Sequence, residues 1–266
     1  MSLPIVVTVG WAAAAALMSA LWLWQRRTRN AGVVDVAWSF ATGALGAAFA
    51  LAGDGARSRR LVVAGLAAVW GLRLGLHLWV RVRREPEDGR YQQMRQEWAA
   101  DADRRLFGFF QIQALAAVAF AMPMLAAGHN AAPLGPLDAV GVTLWLIGLG
   151  GEAVADHQLA TFRADRRNTG RVCRTGLWRY SRHPNYFFEW LHWWSYAALA
   201  VHSPLWWLPL AGVVAMGYTI TRLTGIPPTE AQAVRSRGDA YRAYQRTTSA
   251  FVPWPPQPDA PAEARR

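Results

Sequence analysis

The chain alternates between long stretches that are poor in arginine and short stretches crowded with arginine. The segment from Pro4 to Trp24, for example, has no charged residue, and Gln25-Arg26-Arg27-Thr28-Arg29 follows it directly. A helix of about 20 apolar residues crosses a hydrocarbon core of about 30 Å, and charged residues are expelled to its ends. The sequence therefore predicts an all-α, polytopic membrane protein.

Seven segments have this character, so we predict about seven transmembrane helices. They form a single helical domain over residues 1–254 in this interpretation, and Pro123 is expected to kink the fourth helix. The proline-rich end, residues 255–266, is predicted to be disordered. The predicted spans cover approximately residues 4–24, 33–52, 61–80, 106–127, 137–155, 186–201 and 204–223.

The arginine-rich stretches also predict the orientation of the chain, because positively charged loops stay in the cytoplasm. With seven spans, four such stretches fall on one face. They are residues 26–29, 81–105, 163–182 and the segment from residue 222 onward. The loops around His129 and His202 on the other face carry no arginine, whereas the loop with Arg57, Arg59 and Arg60 is an exception. We therefore predict an N-terminus outside and a C-terminus in the cytoplasm.

All 28 basic residues are arginine. The absence of lysine excludes a Schiff base or an amine nucleophile on a lysine side chain. Because the arginines flank the spans, membrane orientation accounts for the net charge of +11, and we predict the lipid bilayer rather than nucleic acid as the partner. The single cysteine, Cys173, excludes an internal disulfide and a multi-cysteine metal site, and no metal is predicted.

Polar residues in or beside the spans are the candidates for function, because they are costly there unless paired. Asp35 opens the second span and is either a helix-start residue or part of a site. Arg73, His77 and Arg81 follow a spacing of four on the third helix, so they form one stripe, which we expect to face the bundle or a polar cavity. The next segment, Glu87-Asp88-Gly89-Arg90-Tyr91, is predicted to be a loop that is either solvated or closes over a polyanionic cofactor.

The strongest functional signal begins at Asp156-His157, continues through Arg163, and ends in the motif Gly176-Leu177-Trp178-Arg179-Tyr180-Ser181-Arg182-His183-Pro184-Asn185-Tyr186-Phe187-Phe188-Glu189-Trp190. Its glycine permits a tight turn, and its proline suits the first position of a helix. The arginines and histidine before that helix supply donors for phosphate at a positive helix end. Asn185 and Glu189 share one face of the helix and can present an amide and a carboxylate to one ligand.

The last cytoplasmic segment adds Glu230 and a pair of tyrosines, Tyr241 and Tyr244, three residues apart on a predicted amphipathic helix. Their rings are either stacking partners for a ligand or anchors at the membrane interface. The stretch Phe251-Val252-Pro253-Trp254 follows.

The motif at 176–190, together with the tyrosine pair and the Phe251–Trp254 tail, resembles the steroid 5-alpha reductase superfamily. It is most similar to the bacterial branch known as domain of unknown function 1295, and the resemblance extends from Asp35 through Trp254. It implies a seven-helix bundle in the bacterial inner membrane. Such a bundle would bind NADPH from the cytoplasm and reduce an activated C=C bond in a hydrophobic small molecule such as a steroid, an isoprenoid or another lipid.

The resemblance also implies roles for single residues. Asn185 and Glu189 match the amide and acid that contact the cofactor. Asp35 lies near the position of the acidic residue that helps to hold the substrate carbonyl in the family. One departure is Leu78, which stands where the family has a catalytic tyrosine after the third-span histidine. Either His77 or Tyr91 supplies the proton, or the substrate differs, or the chain does no enone reduction. The other implied cofactor residues are Arg90, Asp156, Arg163, Arg179, Tyr180, Arg182, His183, Tyr186, Glu230, Tyr241 and Tyr244.

No Gly-x-Gly-x-x-Gly sequence lies between a strand and a helix, so a Rossmann domain is excluded as the cofactor's home. Two other functions remain open. One is a membrane methyltransferase that uses S-adenosylmethionine, similar to the isoprenylcysteine carboxyl methyltransferases, which share an Arg-His-Pro-x-Tyr entrance and a paired-tyrosine tail. The other is a non-catalytic lipid-binding protein that kept the fold.

Overall fold

The computed structural model describes residues 2–258, and every regular element in them is helical. Helices take up 79% of these residues and no strand occurs among them. The all-α prediction is thereby confirmed.

Ten α-helices occur within the described residues. They are α1 (Leu3–Thr28), α2 (Val33–Ala52), α3 (Arg57–Arg84), α4 (Gly89–Trp98), α5 (Ala102–Gly128), α6 (Pro136–Ala164), α7 (Pro184–Leu199), α8 (Trp207–Tyr218), α9 (Ile226–Arg237) and α10 (Asp239–Thr247). Short 3-10 turns lie at Ala99–Asp101, Arg166–Asn168 and Gly176–Arg179, and one turn of π-helix follows α8 at Thr219–Leu223.

Five helical segments, which correspond to the first five predicted spans, are long and apolar enough to cross a membrane. α7 has 16 residues and α8 has 12. At about 1.5 Å per residue, α7 extends about 24 Å, which is less than the hydrocarbon core. The sixth and seventh spans and the orientation of the termini therefore stay predictions.

The chain divides into two compact units, over the described residues in each case. The first unit takes Met1–Val142 and Trp194–Gly212, and the second takes Thr143–Trp193 and Val213–Arg266.

In the first unit, α2 is the central helix and packs against α1, α3 and α5. Small residues let the backbones of α2 and α3 approach closely. A Cβ atom on Gly43 would lie 2.7 Å from the Cα atom of Gly71, so neither position has room for a side chain. Contacts through small residues are typical of helices that pack inside a membrane, where dispersion rather than the hydrophobic effect holds them together.

One end of the first unit is held by a buried arginine, Arg59, whose side chain is only 2% exposed. Its Nε and Nη2 atoms donate to the two carboxylate oxygens of Asp138 at 2.8 and 2.7 Å. Further donations go to the carbonyl oxygens of Asn130, Ala132 and Pro133. The pairing neutralises the charge of Arg59 within the unit, so Arg59 does not act as a membrane-flanking charge. The stretch with Arg57, Arg59 and Arg60 was predicted as a loop, but it forms the first turn of α3.

We predict that Asp138→Asn destabilises the first unit by about 3 kcal/mol or more, because it leaves a buried guanidinium without its counter-charge. Thermal unfolding of the purified protein in detergent measures the effect. The matched control is Asp54→Asn, since the Asp54 side chain is 86% exposed. Equal unfolding temperatures for the two variants would contradict the role given to the Arg59–Asp138 pair.

In the second unit, α6 and α7 pack closely through glycines. A Cβ atom on Gly148 would lie 2.5 Å from the Cβ atom of His192, and one on Gly151 would meet the ring of Phe188 at 2.3 Å. Trp190 of α7 donates through its indole N–H to the carbonyl oxygen of Val213 on α8 at 3.1 Å. These contacts bring the start of α7 beside α6, where the candidate site lies.

The end of the described chain folds back onto the segment before α7. The backbone N–H of Trp254 donates to the carbonyl oxygen of Tyr180 at 2.9 Å, and that of Gln257 donates to Thr247 at 2.8 Å. Residues 255–258 have no regular secondary structure. The rest of the predicted disordered tail, residues 259–266, lies outside the described residues.

Candidate functional site

The second unit is organised around the carboxylate of Glu230 on α9. Its Oε1 atom accepts from Nε of Arg182 at 2.5 Å, and Nε2 of His183 lies 3.3 Å away. Its Oε2 atom accepts from the side-chain amide of Gln245 at 2.9 Å. Arg182 also donates to the carbonyl oxygens of Gln245 and Thr248 at the end of α10. We call Arg182, His183, Glu230 and Gln245 the Glu230 hub. It ties the chain before α7 to α9 and α10.

The hub holds Glu230 as a carboxylate. Burial raises the pKa of this group, but hydrogen bonds from His183, Arg182 and Gln245 outweigh burial and lower the pKa from 4.5 to about 2. Burial lowers the pKa of His183, against the opposing effect of Glu230. The imidazole is therefore neutral at pH 7. Since a carboxylate only accepts, His183 carries its proton on Nε2 when it bonds to Glu230.

The predicted tyrosine pair also belongs to the interior of this unit. Tyr241 and Tyr244 are 6% and 2% exposed, and their rings form an edge-to-face contact with centroids 5.8 Å apart. The Tyr241 hydroxyl lies 3.4 Å from Glu230, and the Tyr244 hydroxyl donates to the carbonyl oxygens of Trp178 and Ser181. Burial is the main cause of the raised pKa of both tyrosines. The α10 helix is amphipathic as predicted, and its tyrosines brace the turn before α7.

The turn at Gly176–Arg179 is fixed against α6. Gly176 has φ of +58°, and a Cβ atom there would lie 2.5 Å from the side chain of Gln158, so the position requires glycine. The amide oxygen of Gln158 accepts from the N–H of Leu177 at 2.9 Å, and Trp178 donates from its indole to the carbonyl oxygen of Ala155. These contacts therefore fix the position of the turn relative to α6.

Two predicted cofactor residues project from the end of this turn. Arg179 and Tyr180 are both exposed, and within residues 2–258 their side chains make no hydrogen bond or ion pair. The guanidinium of Arg179 is thus available to an anion, in contrast to that of Arg182. Arg163, on α6, is also exposed.

The start of α7 presents the predicted amide and acid on one helical face. Pro184 is the first residue of α7, as predicted. The side-chain amide of Asn185 donates to Oδ1 of Asp156 on α6 at 3.2 Å. Four residues later, Oε1 of Glu189 accepts from the indole of Trp193 at 3.2 Å, and its Oε2 lies 3.5 Å from Nδ1 of His192. Tyr186 stacks on His183 with centroids 5.4 Å apart.

Glu152 and His192 are buried polar residues that the sequence interpretation missed. They are 5% and 1% exposed, and they lie where α6 and α7 approach through Gly148 and Gly151. An acidic residue inside an apolar run was the available signal for Glu152, since charged groups in a span are rare without a function or a partner.

The second unit carries polar groups of the types that bind a carboxamide, a ribose or a phosphate. The amide of Asn185 and the carboxylate of Glu189 already pair with Asp156, Trp193 and His192, and Glu189 is only 8% exposed, whereas the exposed Arg179 offers a cation for phosphate. Among residues 2–258, no group of three or more His, Cys, Asp and Glu side chains is placed to hold a metal ion.

The first unit contains a separate polar cluster around Asp35 on α2. Its Oδ1 atom accepts from the hydroxyl of Tyr91 at 2.7 Å, and its Oδ2 atom accepts from Nη2 of Arg90 at 3.0 Å. The Asp35 side chain is 31% exposed, whereas Tyr91 is 1% exposed. We call Asp35, Arg90 and Tyr91 the Asp35 cluster, because the structure brings together three residues that were predicted separately.

The prediction of a loop at residues 87–91 is wrong, because the helix α4 begins at Gly89. The Asp88 carboxylate caps α4 by accepting from the N–H of Arg90 at 2.9 Å. The charges that suggested a solvated loop are paired instead. Arg81 contacts Asp88 at 2.6 Å and Arg95 contacts Glu87 at 3.1 Å. These contacts hold α4 in place, so it is not an open loop.

His77, the other predicted catalytic residue, lies on α3 with an exposed side chain. Arg73 on the same stripe is half-buried. The phenol of Tyr91 is an acidic group that contacts Asp35 directly, at 2.7 Å.

Comparison with known proteins assigns the chain to a family. The family described as "Protein of unknown function (DUF1295)" matches residues 21–248, which include both the Asp35 cluster and the Glu230 hub. The chain belongs to this family. The family is related to steroid 5-alpha reductase. The narrower assignment to a bacterial branch stays a prediction.

A relative of the chain is an uncharacterized protein of Schizosaccharomyces pombe, which is 29% identical over 275 residues. The match covers 89% of this chain and 76% of the relative. No solved structure matches the chain.

The Glu230 hub predicts an acid-dependent stability. A lowered pKa means that the carboxylate contributes stability above its ordinary pKa of 4.5, and that this contribution is lost as the pH falls toward about 2. We expect Glu230→Gln to lower the unfolding temperature in detergent at pH 7. The difference from the natural protein should shrink between pH 4.5 and 2.

Asp239→Asn is the matched control, because the Asp239 side chain is 96% exposed. A constant difference between Glu230→Gln and the natural protein across this pH range would show that Glu230 is not held ionised by the hub.

Proposed function

We propose that the protein is an NADPH-dependent membrane reductase of an activated, enone-like C=C bond in a lipid such as a steroid or an isoprenoid. The observation that carries the proposal is the hydrogen bond of 2.7 Å between Tyr91 and Asp35. Reduction of an enone needs an acid at the carbonyl. Burial and the adjacent Asp35 raise the pKa of Tyr91, so the phenol keeps its proton at neutral pH, and it would donate that proton to a carbonyl when its O–H turns from Asp35 to the substrate. The relation of this family to steroid 5-alpha reductase supports the same reaction class.

The residues of the second unit are assigned to the cofactor. Asn185 and Glu189 would hold the nicotinamide or its ribose through hydrogen bonds, and Arg179 would hold phosphate. The Glu230 hub would keep the turn with Arg179 and Tyr180 in position. NADPH, when bound, supplies a hydride for the β-carbon of the substrate and leaves as NADP+.

The residues of the first unit are assigned to the substrate. Asp35 is the most exposed member of its cluster, so the substrate would approach the Asp35–Tyr91 pair from the side of Asp35. Tyr91 holds the proton at its phenol oxygen and gives it to the substrate, so that one hydride and one proton together convert the C=C bond to CH–CH. The chain has Leu78 at the position where the family has a tyrosine after the third-span histidine. In this proposal Tyr91 has the role of that tyrosine.

The proposal includes the placement of the protein. We place it in the bacterial inner membrane with seven spans, an N-terminus outside and the cofactor residues facing the cytoplasm. The five long apolar helices support a multi-pass protein. The clustering of exposed arginine on the loops of one predicted face supports this orientation.

We predict that Tyr91→Phe lowers the turnover of an enone lipid by about 100-fold or more, because proton donation is commonly worth two to four decades in rate. The dissociation constant of NADPH should change less than about twofold. Stopped-flow oxidation of NADPH measures turnover and fluorescence titration measures binding. Tyr218→Phe is the matched control, because Tyr218 is 58% exposed and should keep full activity.

Titration of the natural protein with NADPH and with S-adenosylmethionine decides between the function classes. Saturable binding of NADPH supports the reductase, whereas binding of S-adenosylmethionine alone would replace it with a methyltransferase. Binding of neither would indicate the non-catalytic lipid-binding function.

A further inference from the structure

Arg90 differs from the other predicted cofactor residues because its guanidinium lies between two carboxylates of the first unit. Nη2 contacts Oδ2 of Asp35 at 3.0 Å, and Nε contacts Oδ1 of Asp88 at 3.1 Å. Its side chain is 24% exposed, and those of Asp35 and Asp88 are 31% and 21% exposed. The charge is therefore held at the edge of the unit, partly out of water.

These contacts belong to a row in which the sign of the charge alternates. Arg81 contacts Asp88 at 2.6 Å, Asp88 contacts Arg90, and Arg90 contacts Asp35. Burial raises the pKa of Asp88, but Arg90 and Arg81 outweigh burial and lower it. Asp88 is consequently ionised at neutral pH.

A guanidinium in this position is poorly suited to bind phosphate. Arginine binds phosphate best through a fork of two parallel N–H groups, and here the N–H groups on two sides already point at carboxylates. A phosphate that approached Arg90 would also lie beside Asp35 and Asp88 and be repelled by both. Arg179, which lacks such partners within the described residues, is the better anion ligand.

The same position suits an effect on the acid of the reaction. The guanidinium carbon of Arg90 lies 5.3 Å from the centroid of the Tyr91 ring, over its face. When Tyr91 gives up its proton, this positive charge favours the phenolate, against the opposing effects of burial and of Asp35, which raise the pKa of Tyr91. Asp88 keeps the guanidinium there, because it accepts from both the backbone N–H and Nε of Arg90.

We propose that Arg90 is a positioning residue that holds the Asp35–Tyr91 pair in its productive geometry, and that it is not a phosphate ligand of the cofactor. The inference rests on the reductase function proposed above. It reassigns one residue that the family resemblance places with the cofactor.

The test compares Arg90→Met and Arg90→Lys with the natural protein. We expect Arg90→Met to lower kcat by about tenfold to 100-fold, since small displacements of a catalytic group have effects of this size. The KM and the dissociation constant of NADPH should stay within about twofold. Arg90→Lys restores a positive charge and should recover part of kcat. Asp88→Asn should lower kcat in the same direction as Arg90→Met.

Arg84→Met is the matched control, because Arg84 is exposed and pairs with no described residue. It should leave kcat and NADPH affinity unchanged. A rise of tenfold or more in the NADPH dissociation constant of Arg90→Met, with an unchanged kcat at saturation, would overturn the inference and return Arg90 to the cofactor.

A separate measurement distinguishes a failure of this inference from a failure of the proposed function. If the natural protein neither binds NADPH nor reduces an enone, the reductase function fails. The pairing of Arg90 is then tested by the unfolding temperatures of Asp35→Asn, Arg90→Met and the double variant. Non-additive changes support a coupled pair, whereas additive changes refute the coupling.

Discussion

Moving an ionised side chain out of water costs several kcal/mol unless an opposite charge and further hydrogen bonds replace its hydration. The positions of the buried arginines in both units follow from this cost. Arg59 is neutralised by Asp138 and bound by three carbonyl groups, and Arg182 is neutralised by Glu230 and bound by two. Each pair joins segments that are far apart in the chain, so the same interaction that solvates a charge also fixes the connections between helices.

This constraint separates arginines that hold the structure from those that are available to a ligand. Arg182 lies in the middle of the motif that suggested a phosphate site, yet its guanidinium is committed to the Glu230 hub. Arg179, three residues earlier, is exposed at the end of a turn that the hub and the C-terminal segment hold in place. A rigid support with an exposed cation is the arrangement expected of a binding site, because the conformational entropy of the site is lost when the chain folds rather than when the ligand binds.

The apolar spans could be predicted from the sequence because hydropathy is a local property. α2 begins at Val33 and ends at Ala52, which are the bounds of its predicted span, and Asp35 lies in its first turn. α3 extends beyond its predicted span at both ends because its arginines continue the helix past the apolar run. The helix α4 was mistaken for a loop, since its stability depends on a cap at Asp88 and on ion pairs with other segments. The Arg182–Glu230 pair joins residues 48 positions apart, so a single sequence does not reveal it. Asn185 and Glu189 were found because their spacing of four places them on one face of a helix.

In the function that we propose, the protein holds a nicotinamide dinucleotide and delivers a proton from Tyr91 to a lipid substrate. The most direct test is native mass spectrometry of the full chain, extracted gently from the membrane in which it was made. The account predicts a bound species with the mass of NADP+ or NADPH, and loss of that species in the variant Glu189→Ala. A bound species with the mass of S-adenosylmethionine or S-adenosylhomocysteine, unaffected by added NADPH, would contradict the account.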